Sequence, residues 1–459
     1  MASGARDPNA PRERLPAEGQ LDYLTGARFL GAIWIVCAHY LPKGPLVLLR
    51  GAPARVPGGF LNGAALRDNA AVDFFVVLSG FMTHWAYGGA VDLLSLQGAQ
   101  RYYLRRLGRT LLTTWLSMLL GWAAQLLLAL QRGAAPPDAW HVVRCLCFAE
   151  QWRALPGNWC PSGPSWFVFA LLPAWLLYPL FRAAVTALEE RGGALALLGL
   201  AAALYCVSFG PTLFLFLSQG YNVTFAQRAA MMYYPHVQLA DFAIGILAAA
   251  GARRHRCQDS HRQDLPDRCG GEVALVAHIE SPAWLESGEE NDKPDRRARR
   301  CGWLADACAA LVVGGLCLVP TACPPHGFCQ NDRYGWEPLL DHGFALAIAG
   351  FLYGSATARG RCVMANVLSH RTLVELGKLS FEVYIFQEPV HQAFQLLADT
   401  RAPEAFMAYL LFLFAFAALY DKYVQTPLVE VLRGGISGCL QLPKLVGPQA
   451  LYRPVSRPR

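Results

Sequence analysis

The sequence contains few charged residues for its length. Only 16% of its 459 residues are Asp, Glu, Lys or Arg, while 54% are hydrophobic; soluble domains average roughly 25% charged residues. The apolar residues are grouped in many stretches of about 20, the length of a helix that crosses a bilayer. The composition therefore excludes an ordinary soluble domain and predicts an integral, multi-pass membrane protein in contact with membrane lipids.

Three further features are missing. Residues 1–20 have no apolar core of a cleavable signal peptide, and Asp7, Glu13 and Glu18 are unusual in a transit peptide. No basic run is interleaved with aromatic residues, so no nucleic-acid partner is expected. Fourteen cysteines are present, but no Cys-x₂-Cys pair is matched by a second one, so no metal site is predicted. Residues 1–20 are predicted to form a disordered cytosolic tail.

The apolar stretches predict an all-α, polytopic transmembrane helix bundle. We expect about ten spans, near residues 27–49, 70–87, 110–130, 164–181, 194–217, 234–251, 302–320, 338–354, 373–397 and 406–429.

With both termini in the cytosol, ten spans place the basic clusters on one side, as the positive-inside rule requires. These clusters are Arg101–Arg109, Arg182 with Arg191, 252–256, 296–300, and Arg359, Arg361 and Arg371. The transmembrane domain is predicted over residues 21–432, followed by a cytosolic tail at 433–459. Residues 252–300 mix acidic and basic residues with Gly, Ser and Pro, which predicts a disordered cytosolic insert.

The first predicted span carries two polar residues, Arg28 and His39. On an α-helix they would differ by about 20° in direction and about 16 Å along the axis. Ionisable groups inside a membrane usually face a bundle interior or an aqueous path, so the pair is a candidate functional site. The alternative is an arginine that snorkels to the headgroups and a histidine bonded to a neighbouring helix.

The sequence also resembles a known family. Arg28 and His39 match the Arg–ten residues–His pattern of the acyltransferase-3 family, and Val72–Phe81 (VDFFVVLSGF) looks like its second-helix signature. The following RYYLRRLGR resembles its basic segment, and Leu239–Leu247 and Leu379–Val390 resemble its later motifs. The resemblance implies transfer of an acyl group from acyl-CoA, as co-substrate, to a hydroxyl acceptor, without a bound cofactor.

By this resemblance Arg28 and His39 are the catalytic pair. A neutral imidazole can remove the acceptor's proton near pH 7, so His39 is the candidate base. Arg28 stays protonated. It would hold a phosphate or the polar part of the donor, or else stabilise charge on the thioester oxygen; the separation favours the first role.

The remaining candidates have two interpretations each. Arg105, Arg106 and Arg109 match the family's cytosolic arginines and would bind coenzyme A phosphates, or else only anchor the helices at anionic headgroups. Asp73 would pair with an arginine or cap a helix, or else act as a second acid or base. Ser79 would make a small-residue helix contact, or else carry the acyl group as a nucleophile. Both Asp73 and Ser79 are candidates to line the cavity. A polar group in the ninth span is expected to line the acceptor side of the cavity: Glu382, Gln387, Glu388 and His391.

The loops expected opposite the cytosol contain Cys145, Cys147, Cys160, Cys323 and Cys329. In an oxidising compartment, Cys323–Cys329 or a bridge from them to the 145–160 loop is plausible. Asn222 begins an Asn-x-Thr glycosylation triplet on the same side. Both features favour the secretory pathway or plasma membrane over a plastid.

The sequence thus predicts an O-acyltransferase that moves an acyl group, in particular acetyl, from cytosolic acyl-CoA to a carbohydrate, glycolipid or lipid. The main alternative is a transporter or flippase that uses the same Arg/His-lined cavity without ester chemistry. A catalytically inactive membrane scaffold is the third.

Overall fold

The computed structural model describes residues 21–40, 69–89, 93, 95–135, 138–150, 160–219, 227, 235–262, 296–318, 340, 342–358, 360–398 and 403–431. Regular secondary structure within these ranges is helical, without a β-strand, which confirms the all-α class.

Twelve α-helices follow one another along these ranges. They are α1 (Asp22–Tyr40), α2 (Asn69–Tyr87), α3 (Leu96–Arg132), α4 (Ala139–Leu146), α5 (Trp166–Gln219), α6 (Pro235–Arg262), α7 (Arg296–Leu318), α8 (Ala345–Thr357), α9 (Val363–Leu368), α10 (Arg371–Gly377), α11 (Ser380–Phe394) and α12 (Pro403–Tyr420). A 3₁₀ turn, Gly163–Ser165, precedes α5, and a π-helical turn, Asp421–Gln425, follows α12.

Within the part of the chain that the structure describes, four helical segments are long and apolar enough to cross a membrane: Leu96–Arg132, Gly163–Gln219, Arg296–Leu318 and Glu404–Val431. Each of the ten apolar segments identified in the sequence lies at least partly on a helix. The chain is therefore an integral membrane protein by its helices, while the count of ten spans and the cytosolic termini stay predictions.

Helix α5 contains a sharp break between two predicted spans. Gly193 has φ 61° and ψ −149°, outside the helical region, and a glycine adopts such a backbone without the penalty that a side chain would bring. The arm after the break exposes large apolar side chains such as Leu195, Leu198 and Phe214. Such a surface suits contact with lipid.

The predicted limits of the insert at 252–300 need correction. Helix α6 continues to Arg262 and α7 begins at Arg296, so both flanks are helical. Arg253 donates to the carbonyl oxygen of Trp85 at 2.8 Å, and Arg256 to that of Ala356 at 2.9 and 2.7 Å. These carbonyls lie near the C-terminal ends of α2 and α8, where helix oxygens lack intrahelical partners. The arginines therefore belong to the packed bundle.

A disulfide joins Cys145 of α4 to Cys160. The prediction from the sequence was a different disulfide, either Cys323–Cys329 or a bridge from one of these two cysteines to the loop at residues 145–160. Both of them lie outside the described residues. So do Asn222, the tails at 1–20 and 433–459, residues 41–49 of the first predicted span, and residues 263–295 of the insert.

Two large buried apolar clusters and a small third one lie within the described residues. The first is built mainly from α1, α2, α5, α6, α11 and α12, and the second mainly from α1, α2, α6, α7 and α8. Helices α1, α2 and α6 contribute to both large clusters, and we call the contact between α2 and α6 the joint of the bundle.

Helix α1 is held close to the C-terminal half of the chain. The ninth predicted span, 373–397, consists of two helices, α10 and α11, separated by a turn at 378–379. A methyl group at Gly26 would lie 1.9 Å from the carbonyl oxygen of Leu368, and one at Gly377 would lie 2.0 Å from that of Thr25. These close approaches place α1 against α9, α10 and α11.

Substitution at the joint of α2 and α6 is expected to destabilise the protein. A Cβ at Gly80 would lie 1.9 Å from the carbonyl oxygen of Phe242, and one at Gly245 would lie 2.0 Å from that of Val77. Since backbone atoms must shift, Gly80→Ala or Gly245→Ala should cost about 1–3 kcal/mol in unfolding free energy. Thermal or denaturant unfolding in detergent measures this.

The matched control is Gly199→Ala in α5, where a Cβ meets no atom within 4 Å. There the better helix propensity of alanine should leave stability unchanged or raise it by about 0.5–1 kcal/mol. Equal midpoints for Gly80→Ala and Gly199→Ala would contradict the close packing of α2 on α6.

Candidate active site

Helix α1 presents Arg28 and His39 at two levels of the bundle. Arg28 is partly buried, and His39, one residue before the helix end, is exposed. The helix is continuous from Asp22 to Tyr40, so the two side chains leave it about 16 Å apart along the axis. They belong to two separate groups of residues, which we call the lower level (around Arg28) and the upper level (around His39).

The lower level is centred on Glu382 of α11, which is 0% exposed. Its Oε1 accepts from Arg109 Nη2 at 2.6 Å and from Gln425 Nε2 at 2.8 Å. Arg28 interacts electrostatically with the same carboxylate and with Arg106 and Arg109. Burial without such partners would be costly for a carboxylate. Glu382 therefore gathers two of the sequence-predicted arginines, Arg28 and Arg109, around one anion.

The π-helical turn after α12 completes the lower level. It places Gln425 between Glu382 and Asp421, and Gln425 donates to Asp421 Oδ1 at 2.8 Å. Asp421 lies 3.7 Å from Arg109 Nη2, and Thr113 donates to Gln425 Oε1 at 2.9 Å. Wide turns of this kind are rare and occur frequently at functional sites. Asp421 and Gln425 were not among the residues predicted from the sequence; their polarity within an apolar helix was the available signal.

The other two predicted arginines lie differently. Arg106 donates to Ser79 Oγ at 2.7 Å and stacks over Trp175 at 4.8 Å from the ring centroid, and Trp175 Nε1 donates to the same hydroxyl at 3.0 Å. The Ser79 hydroxyl thus accepts two hydrogen bonds. Arg105 is exposed on α3. The three arginines are therefore spread over a carboxylate, a serine and the surface.

The upper level surrounds His39. Its ring lies 5.8 Å from that of Tyr40, and the imidazole interacts electrostatically with Glu388 of α11. Both carboxylate oxygens of Glu388 accept hydrogen bonds: Oε2 from the backbone N–H of Gly163, and Oε1 from Gln392 Nε2 at 3.1 Å. A carboxylate fixed in this way can hold an imidazolium formed beside it.

The polar residues of the ninth span divide between the two levels. Glu382 faces Arg109, whereas Glu388 and His391 lie at the upper level, where the His391 ring is 4.3 Å from that of Tyr40. Gln387 is buried, and its Nε2 donates to the carbonyl oxygen of Tyr384 at 2.9 Å.

Asp73 belongs to neither level. Its Oδ2 accepts from the backbone N–H of His342 at 2.8 Å, which is closer to the capping role expected of it than to an arginine pair. His342 also bonds Asp241 of α6 through Nδ1, so Asp241 pairs with a residue 101 positions away in the sequence. His342 has φ 65°, a conformation uncommon outside glycine.

The arrangement offers two chemical functions at the two ends of one helix. The upper level has a proton acceptor beside a fixed carboxylate. The lower level has Arg28 and Arg109 with Glu382 and Asp421. Arg106, on Ser79, still acts electrostatically on Arg28, so the formal net charge of these groups is +1 (three cations, two anions). Clustered guanidinium groups of this kind bind phosphates.

A family model described as an acyltransferase domain matches residues 21–421. The match covers α1 and ends at the first residue of the π-helical turn, so it includes both levels except Gln425. No curated protein and no solved structure matches the chain.

Proposed function

The chain belongs to the acyltransferase-3 family, and from that premise we propose that it is an O-acyltransferase of a cellular membrane. In this proposal an acyl group, in particular acetyl, passes from acyl-CoA on the cytosolic side to a hydroxyl of a carbohydrate, glycolipid or lipid. Membership of the family supports the acyltransferase class. The donor, the acceptor and the acyl group are proposed here.

One observation carries the proposal: the continuous helix α1 places Arg28 and His39 at two separate levels of the bundle. Arg28 lies at the level of the ion pair between Arg109 and Glu382, and His39 lies at the level of Glu388. Coenzyme A has multiply charged phosphates at one end and a thiol at the end of a slim, uncharged arm. The phosphates would bind at or below the lower level, since charge is costly in hydrocarbon. The arm would then extend along α1 and present the thioester near His39.

His39 would act as the general base. Its neutral imidazole removes the proton of the acceptor hydroxyl while the oxygen attacks the thioester carbonyl carbon. When the tetrahedral intermediate collapses, the carbon–sulfur bond breaks and the imidazolium returns the proton to the leaving thiolate. Glu388, fixed by Gly163 and Gln392, would stabilise the transient imidazolium.

Arg28 would bind the donor in this scheme. The rise of about 16 Å between Arg28 and His39 is too long for the guanidinium to reach a thioester at the imidazole. The negative charge of Glu382 attracts the Arg28 guanidinium, and Arg109 adds a second cation. The exposed Arg105 would meet the outer phosphates.

The site of action would be the secretory pathway or the plasma membrane. The disulfide Cys145–Cys160 supports an oxidising compartment on the side away from the donor. The acceptor would then approach His39 from that side.

Turnover of the purified protein tests the proposal. Full-length protein in lipid nanodiscs is mixed with acetyl-CoA and longer acyl-CoA donors, together with sugars, glycolipids and lipids. We expect free thiol to appear in proportion to the acceptor acylated. Transport of an unmodified solute by proteoliposomes, with no thiol release for any donor and acceptor, would favour the transporter instead.

A further inference from the structure

We propose that Asp73, Asp241 and His342 bind a divalent transition-metal ion, with Zn²⁺ as the best match, where α2, α6 and the turn before α8 meet. One potential ligand atom of each residue lies within 4.8 Å of the other two. All three residues are buried, with side chains 0–2% exposed.

The fold brings these ligands together from three distant parts of the chain. Asp73 lies in the second turn of α2, Asp241 in the second turn of α6, and His342 immediately before α8. The glycine contacts at Gly80 and Gly245 hold α2 and α6 close together. A metal ion at this point would link elements that are 101 to 269 residues apart in sequence.

Among the described residues, one oxygen of the cluster has no hydrogen-bond partner. Asp241 Oδ1 is buried and unpartnered, while Oδ2 of the same carboxylate bonds His342 Nδ1. A buried carboxylate oxygen is normally satisfied, because its desolvation is otherwise uncompensated. A divalent cation bound to this carboxylate would satisfy the remaining oxygen.

The donor atoms fit a zinc ion. Zinc binds imidazole nitrogen and carboxylate oxygen at about 2.0–2.2 Å, which places tetrahedral ligands about 3.4 Å apart. His342 Nδ1 and Asp73 Oδ1 are 3.8 Å apart, close to this separation. Asp241 Oδ2 lies in direct contact with the same nitrogen, so the Asp241 side chain must rotate away from it to make room for the ion. Binding replaces the hydrogen bond between His342 and Asp241: Nδ1 gives up its proton to solvent and coordinates the metal. Three protein ligands leave a fourth position for water.

The rival interpretation is a metal-free triad in which a protonated His342 joins two carboxylates. It predicts the same loss of stability when a member is removed but no bound metal. The spacing of the cysteines predicted no metal site. That spacing could not reveal this one, because its three ligands are distant in the sequence and include no cysteine.

Metal content decides between the two. The full-length protein is purified with a tag that lacks histidine, incubated with Zn²⁺, washed and analysed by mass spectrometry. We expect about one zinc per chain for the native sequence and at least about a tenfold lower content for Asp241→Asn and His342→Gln. Glu375→Gln, which removes an exposed carboxylate paired with Lys378, is the control and should keep its zinc.

The native protein also gives a readout that does not depend on variants folding. Removal of zinc by a chelator should lower the melting temperature, and Zn²⁺ rather than Mg²⁺ should restore it. Background metal in the native protein, or equal metal in Asp241→Asn, would overturn the proposal. Neither measurement uses acyl transfer, so this result is independent of the proposed activity.

Discussion

Replacing His39 with alanine is expected to lower acyl transfer by about 10²–10⁴-fold, the usual loss when a positioned general base is removed. The acceptor hydroxyl would keep its proton during attack, so kcat should fall while binding of the donor changes little. Because His39 is exposed at the end of α1, its removal leaves the helix packing intact. Initial rates of thiol release at saturating donor measure the effect.

Two further variants sharpen this result. His370→Ala removes another exposed histidine, which makes no side-chain cap at α10, and should retain full activity. Glu388→Gln keeps the shape of the side chain but loses the negative charge that acts on His39. Its acyl-transfer activity should therefore lie between that of His39→Ala and that of His370→Ala. Near-normal turnover by His39→Ala would remove the histidine from the mechanism.

The second large effect is expected at Arg28. Hydrogen bonds to charged groups contribute about 1.5–3 kcal/mol, so Arg28→Ala should raise KM for the donor by about 10–150-fold. If Arg28 only binds phosphate, kcat at saturating donor should change much less than KM. Arg28→Lys keeps the charge but not the bidentate geometry, and should recover part of the loss.

The same measurement separates the two roles considered for Arg28. A fall in kcat with unchanged KM would instead place the guanidinium at the thioester oxygen. Lys378→Ala is the control, because this cation is exposed and paired with Glu375. Equal changes in donor KM for Lys378→Ala and Arg28→Ala would point to a general surface effect.

Helical periodicity explains what could be predicted of this site. Arg28 and His39 lie on one continuous helix as expected, because their spacing is a local property of α1. Apolar length likewise predicted the two arms of α5, which separate at Gly193. Both inferences depend on residues close together in the chain.

The partners of these residues depend on contacts between distant helices. Glu382 meets Gln425 through a π-helical turn, a local widening that apolar periodicity does not reveal. The pairing of Asp241 with His342 crosses 101 residues. The limits of the insert were wrong for a related reason. By composition Arg253 and Arg256 belong to a polar loop, and only their hydrogen bonds to carbonyl oxygens on other helices place them in the bundle.

The π-helical turn Asp421–Gln425 makes the lower level sensitive to chain length as well as to side-chain identity. Each residue of an α-helix advances the direction of a side chain by about 100°. A π-helical turn holds one residue more than the α-helical turn that it replaces, so deleting one residue would restore ordinary helix and leave the helix after it in the same orientation. Only the side chains within the turn would change direction, which would disturb their contacts with Glu382 and Arg109. A deletion here would therefore change the arginine cluster while the bundle stayed the same, although no amino acid in contact with the carboxylate had been replaced.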